Sequence, residues 1–247
     1  MSYLQELGIR PGQDVQHRQK ADPRDFPAAS HLDKAASFLE VASPLVLREV
    51  VPHLDDIPAR WNPGGFMVFP LGLHDELGSL RLHVWAAGVP RQTDQGPNIH
   101  EHGWHLSSKI IAGPYTDNLY KLDQAALLDS ETLVNEDGLL GLYMTRRNAE
   151  GQDSLITDGT LVRPKLIAER SVPEAEVHHI EAGVYHLTTI PLEQLVATLV
   201  VDSPAFVEST GVLLASTKPQ IARNRRMVDR SSAMLAREQI MVHHGLR

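Results

Sequence analysis

Short runs of strand-forming residues, each bounded by glycine, proline, asparagine or aspartate, recur through the middle of this chain. Such runs are typical of antiparallel strands joined by turns. They cover residues 66–69, 80–85, 104–111, 118–122, 177–180, 184–190 and 195–201. The last run is almost wholly apolar, so we expect it to be buried on both faces. The pattern predicts a mainly β chain with its strands arranged as an antiparallel barrel.

The segments on either side of these strands differ from them in composition. Residues 1–30 are polar and rich in proline, which favours an irregular arm. Apolar residues then recur at helical spacing from Ser30, a capping residue, to Pro44, where we expect the helix to end. The chain beyond Pro219 predicts a C-terminal helix. We divide the chain into an N-terminal arm and helical region (1–62), a barrel (63–210) and a C-terminal helical extension (211–247), and place an insertion with a polar hairpin tip at 123–173.

Two histidines separated by one residue indicate a metal site within the strand region. Side chains alternate across a strand, so His100 and His102 point to the same side and Glu101 points away. A catalytic metal site needs a third protein ligand and open positions for substrate. His186, in a strand-like run after the turn at Gly183, is the best candidate, and His178 or His179 is the alternative.

These motifs resemble those of the cupin family, in which an HxH strand and a later strand histidine meet inside a double-stranded β-helix, or jelly-roll, barrel. The usual cupin glutamate is absent, since Leu106 and Ser107 occupy its place. A cupin with three histidines resembles the thiol dioxygenases, the relatives of cysteine dioxygenase. The likeness covers roughly residues 66–207 and rests on the short motifs Val84-Trp85, Ile99-His100-Glu101-His102 with His105, Ala112-Gly113, and Val201-Asp202-Ser203-Pro204-Ala205-Phe206.

The resemblance implies an enzyme with Fe(II) on three neutral imidazoles, dioxygen and a small-molecule substrate as partners, and pairing into a homodimer. A cytoplasmic location is the default expectation for a sequence without a secretory leader pattern. Imidazole also accepts Zn, Ni, Cu and Mn, so the metal stays open. The chain departs from the thiol dioxygenases in lacking an arginine over 66–72 and, at Val201 or Asp202, a tyrosine. Cysteine itself is therefore a doubtful substrate, and oxidation of another small thiol or related molecule is the expected reaction.

Three further residues are candidates for catalysis. Arg81 is the candidate anion anchor if its face of the strand points inward. Tyr120 could donate a hydrogen bond to dioxygen or act as an acid. His105 falls on the opposite parity from His102, so it would act behind the ligands or lie at the surface. His83 shares a strand face with Arg81 and could line the barrel.

Composition excludes several other classes of protein. The formal net charge of −8 and the lack of a basic run argue against nucleic acid as a partner. The absence of cysteine removes disulfides and thiolate ligands. No apolar run approaches the roughly 20 residues that span a bilayer, and the first residues do not form a secretory leader. The alternatives left open are another metal-dependent cupin enzyme, such as a lyase, isomerase or carbon-centred oxygenase, and a non-catalytic cupin that binds a ligand.

Overall fold

The computed structural model describes residues 2–11, 28–90, 99–124, 138–147, 153–207, 209–223 and 226–246. Within these residues, three α-helices and one 3₁₀ helix accompany fifteen strands. The helices are α1 (Ser2–Glu6), α2 (Ala28–Glu49), the 3₁₀ helix (Val51–Asp56) and α3 (Arg230–His243). The strands are β1 (Ile9–Arg10), β2 (Arg60–Trp61), β3 (Met67–His74), β4 (Gly78–Trp85), β5 (Ile99–His100), β6 (Leu106–Ala112), β7 (Tyr115–Gln124), β8 (Leu140–Arg147), β9 (Asp153–Ile156), β10 (Leu161–Val172), β11 (Val177–Ile180), β12 (Tyr185–Thr189), β13 (Val196–Asp202), β14 (Gly211–Leu214) and β15 (Gln220–Arg223).

The strands form two antiparallel sheets. One sheet, which we call the helix-side sheet, has the order β1-β3-β4-β13-β6-β11, with β2 paired to β3. The other, the histidine sheet, has the order β10-β7-β12-β5-β14-β8-β9-β15, and an added pairing of β10 with β8 bends it back on itself. The prediction of a mainly β chain with helices near both ends is confirmed, in an arrangement of two antiparallel sheets.

The helix-side sheet is covered on one face by helices and on the other by the histidine sheet. β13 lies at its centre and is buried along its whole length, as its apolar sequence predicts. Leu82 of β4 and Leu199 of β13 are cross-strand partners in a core cluster that also contains Leu39 of α2 and Ile240 of α3. The opposite face carries Trp85 and Ile110, which pack with Tyr115 of the histidine sheet. Side chains of the two sheets therefore face each other in the space between them.

Helix α2, the C-terminal segment and the expected insertion each differ from the sequence predictions. Helix α2 begins at Ala28 and continues through Pro44. A proline inside a helix removes one hydrogen bond and costs about 3 kcal/mol, but the buried side chains of Ala35, Leu39 and Val46 hold this helix on the sheet. Packing thus overrides the local signal to stop.

The predicted helical extension begins with strands. Residues 211–214 form β14, which pairs with β5 and β8, and residues 220–223 form β15. Much of the expected insertion is also part of the histidine sheet, because β8, β9 and β10 all fall within it. β8 and β9 form the predicted hairpin. The tip of that hairpin lies outside the described residues. Among the helices that are described, none is long and apolar enough to cross a membrane.

Candidate metal centre

Strand register brings the predicted ligands together between the sheets. His186 of β12 is the direct cross-strand partner of His100 of β5, so both side chains lie on one face of the sheet. The Nε2 atom of His102 lies 3.1 Å from the Nε2 atom of His186. One ring nitrogen from each of the three residues falls within 4.8 Å of the others, and this is the only such group of potential ligands among the residues that the structure describes. His186 is therefore the histidine that joins the HxH pair.

The chemistry of this trio fits a divalent transition metal. Two nitrogens that each lie about 2.1 Å from one ion are about 3.0 to 3.4 Å apart, and the 3.1 Å separation of the His102 and His186 atoms falls in this range. Burial, with smaller effects of His100 and His186, holds the pKa of His102 well below its usual value. A neutral imidazole has a lone pair for a metal, whereas a protonated one does not.

A set of backbone contacts fixes the loop that carries His102. The His102 carbonyl accepts a hydrogen bond of 2.9 Å from the Gly183 amide. Glu101 and Gly211 pair reciprocally: the Glu101 amide donates to the Gly211 carbonyl at 3.1 Å, and the Gly211 amide donates to the Glu101 carboxylate at 2.9 Å. The Tyr185 hydroxyl also hydrogen-bonds Glu101. Glu101 thus faces away from the trio, as predicted, and anchors the segment between its first two histidines.

Asp117 lies directly behind His186 and was not among the predicted site residues. This fully buried carboxylate on β7 lies 2.9 Å from His186 Nδ1 through its Oδ1 atom, which also accepts a hydrogen bond from Thr188. Its Oδ2 atom lies 3.0 Å from His178 Nε2. Burial alone would raise the pKa of Asp117, but the hydrogen bonds from the two histidines hold the pKa far below its usual value. A charged carboxylate thus contacts the ring of a candidate ligand.

The two alternative third ligands lie elsewhere. His178 points inward to Asp117 and is 2% exposed. His179 follows it on the other face of β11, where its Nδ1 atom lies 2.9 Å from the Ser107 hydroxyl. Neither belongs to the trio. Strand alternation explains why adjacent histidines have these separate environments.

Arg81 does face inward, and it pairs with a buried carboxylate. Its Nη1 atom lies 3.0 Å from Oδ2 of Asp202. The same Oδ2 atom accepts a hydrogen bond from the Ser79 hydroxyl, and Oδ1 accepts one from the Trp104 indole. The Trp104 ring lies 5.1 Å from the His102 ring, so this polar network adjoins the trio. Asp202 thus compensates the charge of the predicted anion anchor.

His83 lines the same face of β4, beside aromatic rings. Its ring centroid lies 4.9 Å from that of Phe66 and 6.2 Å from that of Trp85. Its Nε2 atom is buried and has no hydrogen-bond partner in the described part of the chain. Burial is the main cause that lowers the pKa of His83 from 6.5 to about 3. A neutral imidazole therefore stands in an aromatic wall.

Neither of two predicted catalytic residues, Tyr120 and His105, belongs to the trio. Tyr120 is the cross-strand partner of Tyr185, whose neighbour His186 points to the opposite face, and Tyr120 packs instead against the apolar cluster that includes Ile99. His105 accepts a hydrogen bond from the Ala182 amide at 3.2 Å, and its ring lies 4.9 Å from that of Phe206. The expectation that Tyr120 contributes at the metal conflicts with sheet parity, and the described contacts of His105 are those of a packed residue.

Comparisons with known proteins give a limited result. No protein-family model matches the chain, and no curated protein matches it. Solved structures that match include hydroxypropylphosphonic acid epoxidase from S. wedmorenis in complex with fosfomycin, with 12% identity over 60% of this chain and a TM-score of 0.31. Another structure of that enzyme matches with 15% identity over 61% of this chain and a TM-score of 0.30. Each match spans only 56% of the length of the epoxidase chain.

Proposed function

We propose that this protein is a metal-dependent cupin enzyme that uses Fe(II) and dioxygen to oxidise a small thiol or a related small molecule. The observation that carries the proposal is the convergence of His100, His102 and His186 between the two sheets. All three ligands are nitrogens, which suits first-row transition metals better than magnesium or calcium.

The residues of the chain prepare this site in complementary ways. Glu101 fixes the loop between the first two histidines, and Asp117 fixes the ring of His186. Burial keeps His102 neutral by lowering its pKa, so that little proton release is needed before a metal binds. His100, His102 and His186 would hold Fe(II), and an ion held by three protein ligands would offer open coordination positions for a chelating substrate and for dioxygen.

The side chains near the trio on the helix-side sheet favour a substrate other than a free amino acid. Asp202 already compensates the charge of Arg81, which weakens the attraction of Arg81 for a substrate carboxylate. Nearby, His83 offers a neutral ring, and Phe66 and Trp85 offer apolar surface. These side chains support a small thiol that lacks a carboxylate, or a related molecule with a polar group and an apolar body.

Two other functions remain as alternatives. Another metal-dependent cupin reaction, by a lyase, an isomerase or a carbon-centred oxygenase, would use the same trio, because fold and ligands do not fix the chemistry. A non-catalytic ligand-binding cupin would keep the barrel but would not consume oxygen.

Metal analysis followed by oxygen uptake tests the proposal. The purified protein is compared with His100→Ala, His102→Ala and His186→Ala variants, and with His53→Ala as a control at an exposed histidine. Oxygen consumption is then measured with cysteine, cysteamine, 3-mercaptopropionate and 2-mercaptoethanol, which combine an amine and a carboxylate in all four ways.

The outcomes separate the candidate functions. Stoichiometric iron that is lost in the three variants and kept in the control, with thiol-dependent oxygen uptake, supports the proposal. Bound metal without oxygen uptake favours another cupin reaction, and absence of any bound metal overturns the site.

A further inference from the structure

A chain of hydrogen bonds runs from the surface of the protein to the histidine trio. The guanidinium of Arg170, an exposed residue of β10, lies 3.4 Å from His178 Nδ1. His178 Nε2 lies 3.0 Å from Asp117 Oδ2, and Asp117 Oδ1 lies 2.9 Å from His186 Nδ1. This series of hydrogen bonds ends at His186 Nε2, which lies 3.1 Å from His102 Nε2.

Donor and acceptor rules fix the protons along this chain. A carboxylate can only accept hydrogen bonds, so both histidines that contact Asp117 donate to it. His178 therefore carries its proton on Nε2, and its Nδ1 lone pair accepts from Arg170, which can only donate. His186 carries its proton on Nδ1, and its Nε2 lone pair faces the trio. Without a metal, His102 Nε2–H donates to that lone pair.

The setting of Asp117 makes this arrangement rigid. Asp117, His178 and His186 are 0%, 2% and 4% exposed, so water cannot replace a lost partner easily. Asp117 belongs to β7 of the histidine sheet and His178 to β11 of the helix-side sheet. Their hydrogen bond therefore ties the two sheets together behind the ring of His186.

We propose that Asp117 and His178 are positioning residues that hold His186 in the Nδ1–H tautomer, with its Nε2 lone pair directed at the metal position. Asp117 acts on His186 directly, and His178 acts through Asp117 by donating to its second oxygen. Hydrogen bonds of this kind behind a ligand orient its ring and raise its basicity, and their loss costs about 10- to 100-fold in metal affinity. The metal-affinity part of the inference rests on the proposed function, whereas the tautomer of His186 does not.

Nitrogen NMR of the histidine rings tests the tautomer in metal-free protein. With ¹⁵N-labelled histidine, assigned by comparison with His186→Ala, we expect His186 to show a protonated Nδ1 and an unprotonated Nε2 in the natural protein. We expect this preference to weaken in Asp117→Asn, where an amide group replaces one accepting oxygen. A wild-type His186 protonated on Nε2 would overturn the inference, and this result needs neither a metal nor a stable variant.

Cobalt affinity tests the positioning role with variants that distinguish it from packing. Co(II) affinity is measured by competition with a chelator, and the visible spectrum reports ligand geometry. We expect a loss of about 10- to 100-fold in Asp117→Asn and a smaller loss in His178→Leu. His178→Gln should restore most of the affinity, because the glutamine amide can still donate to Asp117. His179→Leu, on the opposite face of the same strand, is the matched control and should bind normally.

Each result bears on a separate statement. Normal Co(II) affinity in both Asp117→Asn and His178→Leu would overturn the positioning role. Equal losses in His178→Leu and His178→Gln would also contradict it, since they would indicate packing alone. If the natural protein binds no Co(II), the proposed function fails, and the tautomer measurement still decides whether Asp117 orients His186.

Discussion

At Gly211, the addition of a single methyl group should be enough to disturb the trio. A Cβ atom at this position would lie 1.9 Å from the Tyr185 hydroxyl and 3.2 Å from a Glu101 carboxylate oxygen. We expect Gly211→Ala to displace both groups, to destabilise the protein by about 1 to 3 kcal/mol as overpacking does, and to weaken Co(II) binding through Glu101. Thermal unfolding and Co(II) titration measure the two effects.

A second substitution checks that the clash is the cause. Tyr185→Phe removes the hydroxyl, so the double variant Gly211→Ala/Tyr185→Phe should recover part of the lost stability and affinity. The single Tyr185→Phe variant is the control. If the double variant is as impaired as Gly211→Ala alone, the explanation from the Tyr185 contact is wrong.

Substitution of Tyr120, in contrast to that of Gly211, should leave the metal site undisturbed. Its side chain lies on the face of β7 that turns away from His186, in the apolar cluster with Ile99. We therefore expect Tyr120→Phe to keep the Co(II) affinity and any oxygen uptake of the natural protein to within about twofold. A tenfold loss of either would restore the catalytic role that the sequence suggested for it.

The sequence predicted the pair His100 and His102 because their spacing is a local pattern, and it offered His186 as one of several candidate third ligands. It missed Asp117 because no local pattern marks that residue. Strand alternation predicts that His100 and His102 share one side, and their side chains do converge, although β5 ends at His100 and His102 lies in the loop after it. Asp117 in the run Tyr-Thr-Asp-Asn has no local feature that marks it, since an aspartate in a polar stretch usually faces solvent. Only the register of β7 against β12 shows that it lies behind His186.

At the scale of elements, strand prediction succeeded where burial and turns agree. Residues 177–180 were predicted as a strand with the bounds of β11, and the wholly apolar run at 195–201 became β13, shifted by one residue. The end of α2 was missed because Pro44 is a local stop signal, whereas the packing that overrides it comes from distant strands. β14 was missed because four apolar residues without a clear period fit either a strand or a helix.

The attachment of the C-terminal helix α3 should depend on the carboxylate of Asp55 in the 3₁₀ helix. Asp55, whose side chain is 6% exposed, lies 2.5 Å from Arg237 and 3.4 Å from Arg230, both of α3. We expect Asp55→Asn to lower the free energy of unfolding by about 2 kcal/mol without changing Co(II) affinity, because α3 packs on the far face of the helix-side sheet. Urea unfolding measures the change.

The exposed neighbour of Asp55 supplies the control for this prediction. Asp56→Asn removes the same charge at the next residue of the 3₁₀ helix and should leave stability nearly unchanged. Equal effects of the two substitutions would show that net charge, rather than the contacts with α3, determines the result.

For the whole molecule, the arrangement of the two sheets explains why the predicted residues separate into different groups. Inward residues of both sheets share one interior, which contains the trio, Asp117, His178 and Arg81 with Asp202. The outward face of the helix-side sheet lies under α2 and α3. The histidine sheet instead closes on its own apolar cluster through the β10–β8 pairing, which removes Tyr120 from the interior. A sequence reading that treats each strand separately cannot show this closure.

The stability of the whole chain should fall in mild acid, and His31 should account for part of the fall. This histidine of α2 is 4% exposed, and burial, with smaller effects of His105 and Lys34, lowers its pKa from 6.5 to about 4. The unfolded chain therefore takes up a proton below about pH 6.5 that the folded chain refuses until about pH 4. The contribution of neutral His31 to stability is complete above pH 6.5 and is lost progressively as the pH falls through this window.

Urea unfolding of metal-free protein at pH 7.5 and pH 5.0 measures this effect. At about 1.4 kcal/mol for each unit of pH below 6.5, His31 should cost the natural protein about 2 kcal/mol by pH 5.0. His31→Gln cannot take up the proton, so its loss between the two pH values should be smaller by about that amount. His53→Gln, at an exposed position, should behave as the natural protein does. The protonation of the trio affects all three proteins equally, so it cancels when their losses of stability are compared. Equal losses in the natural protein and in His31→Gln would refute the assignment to His31.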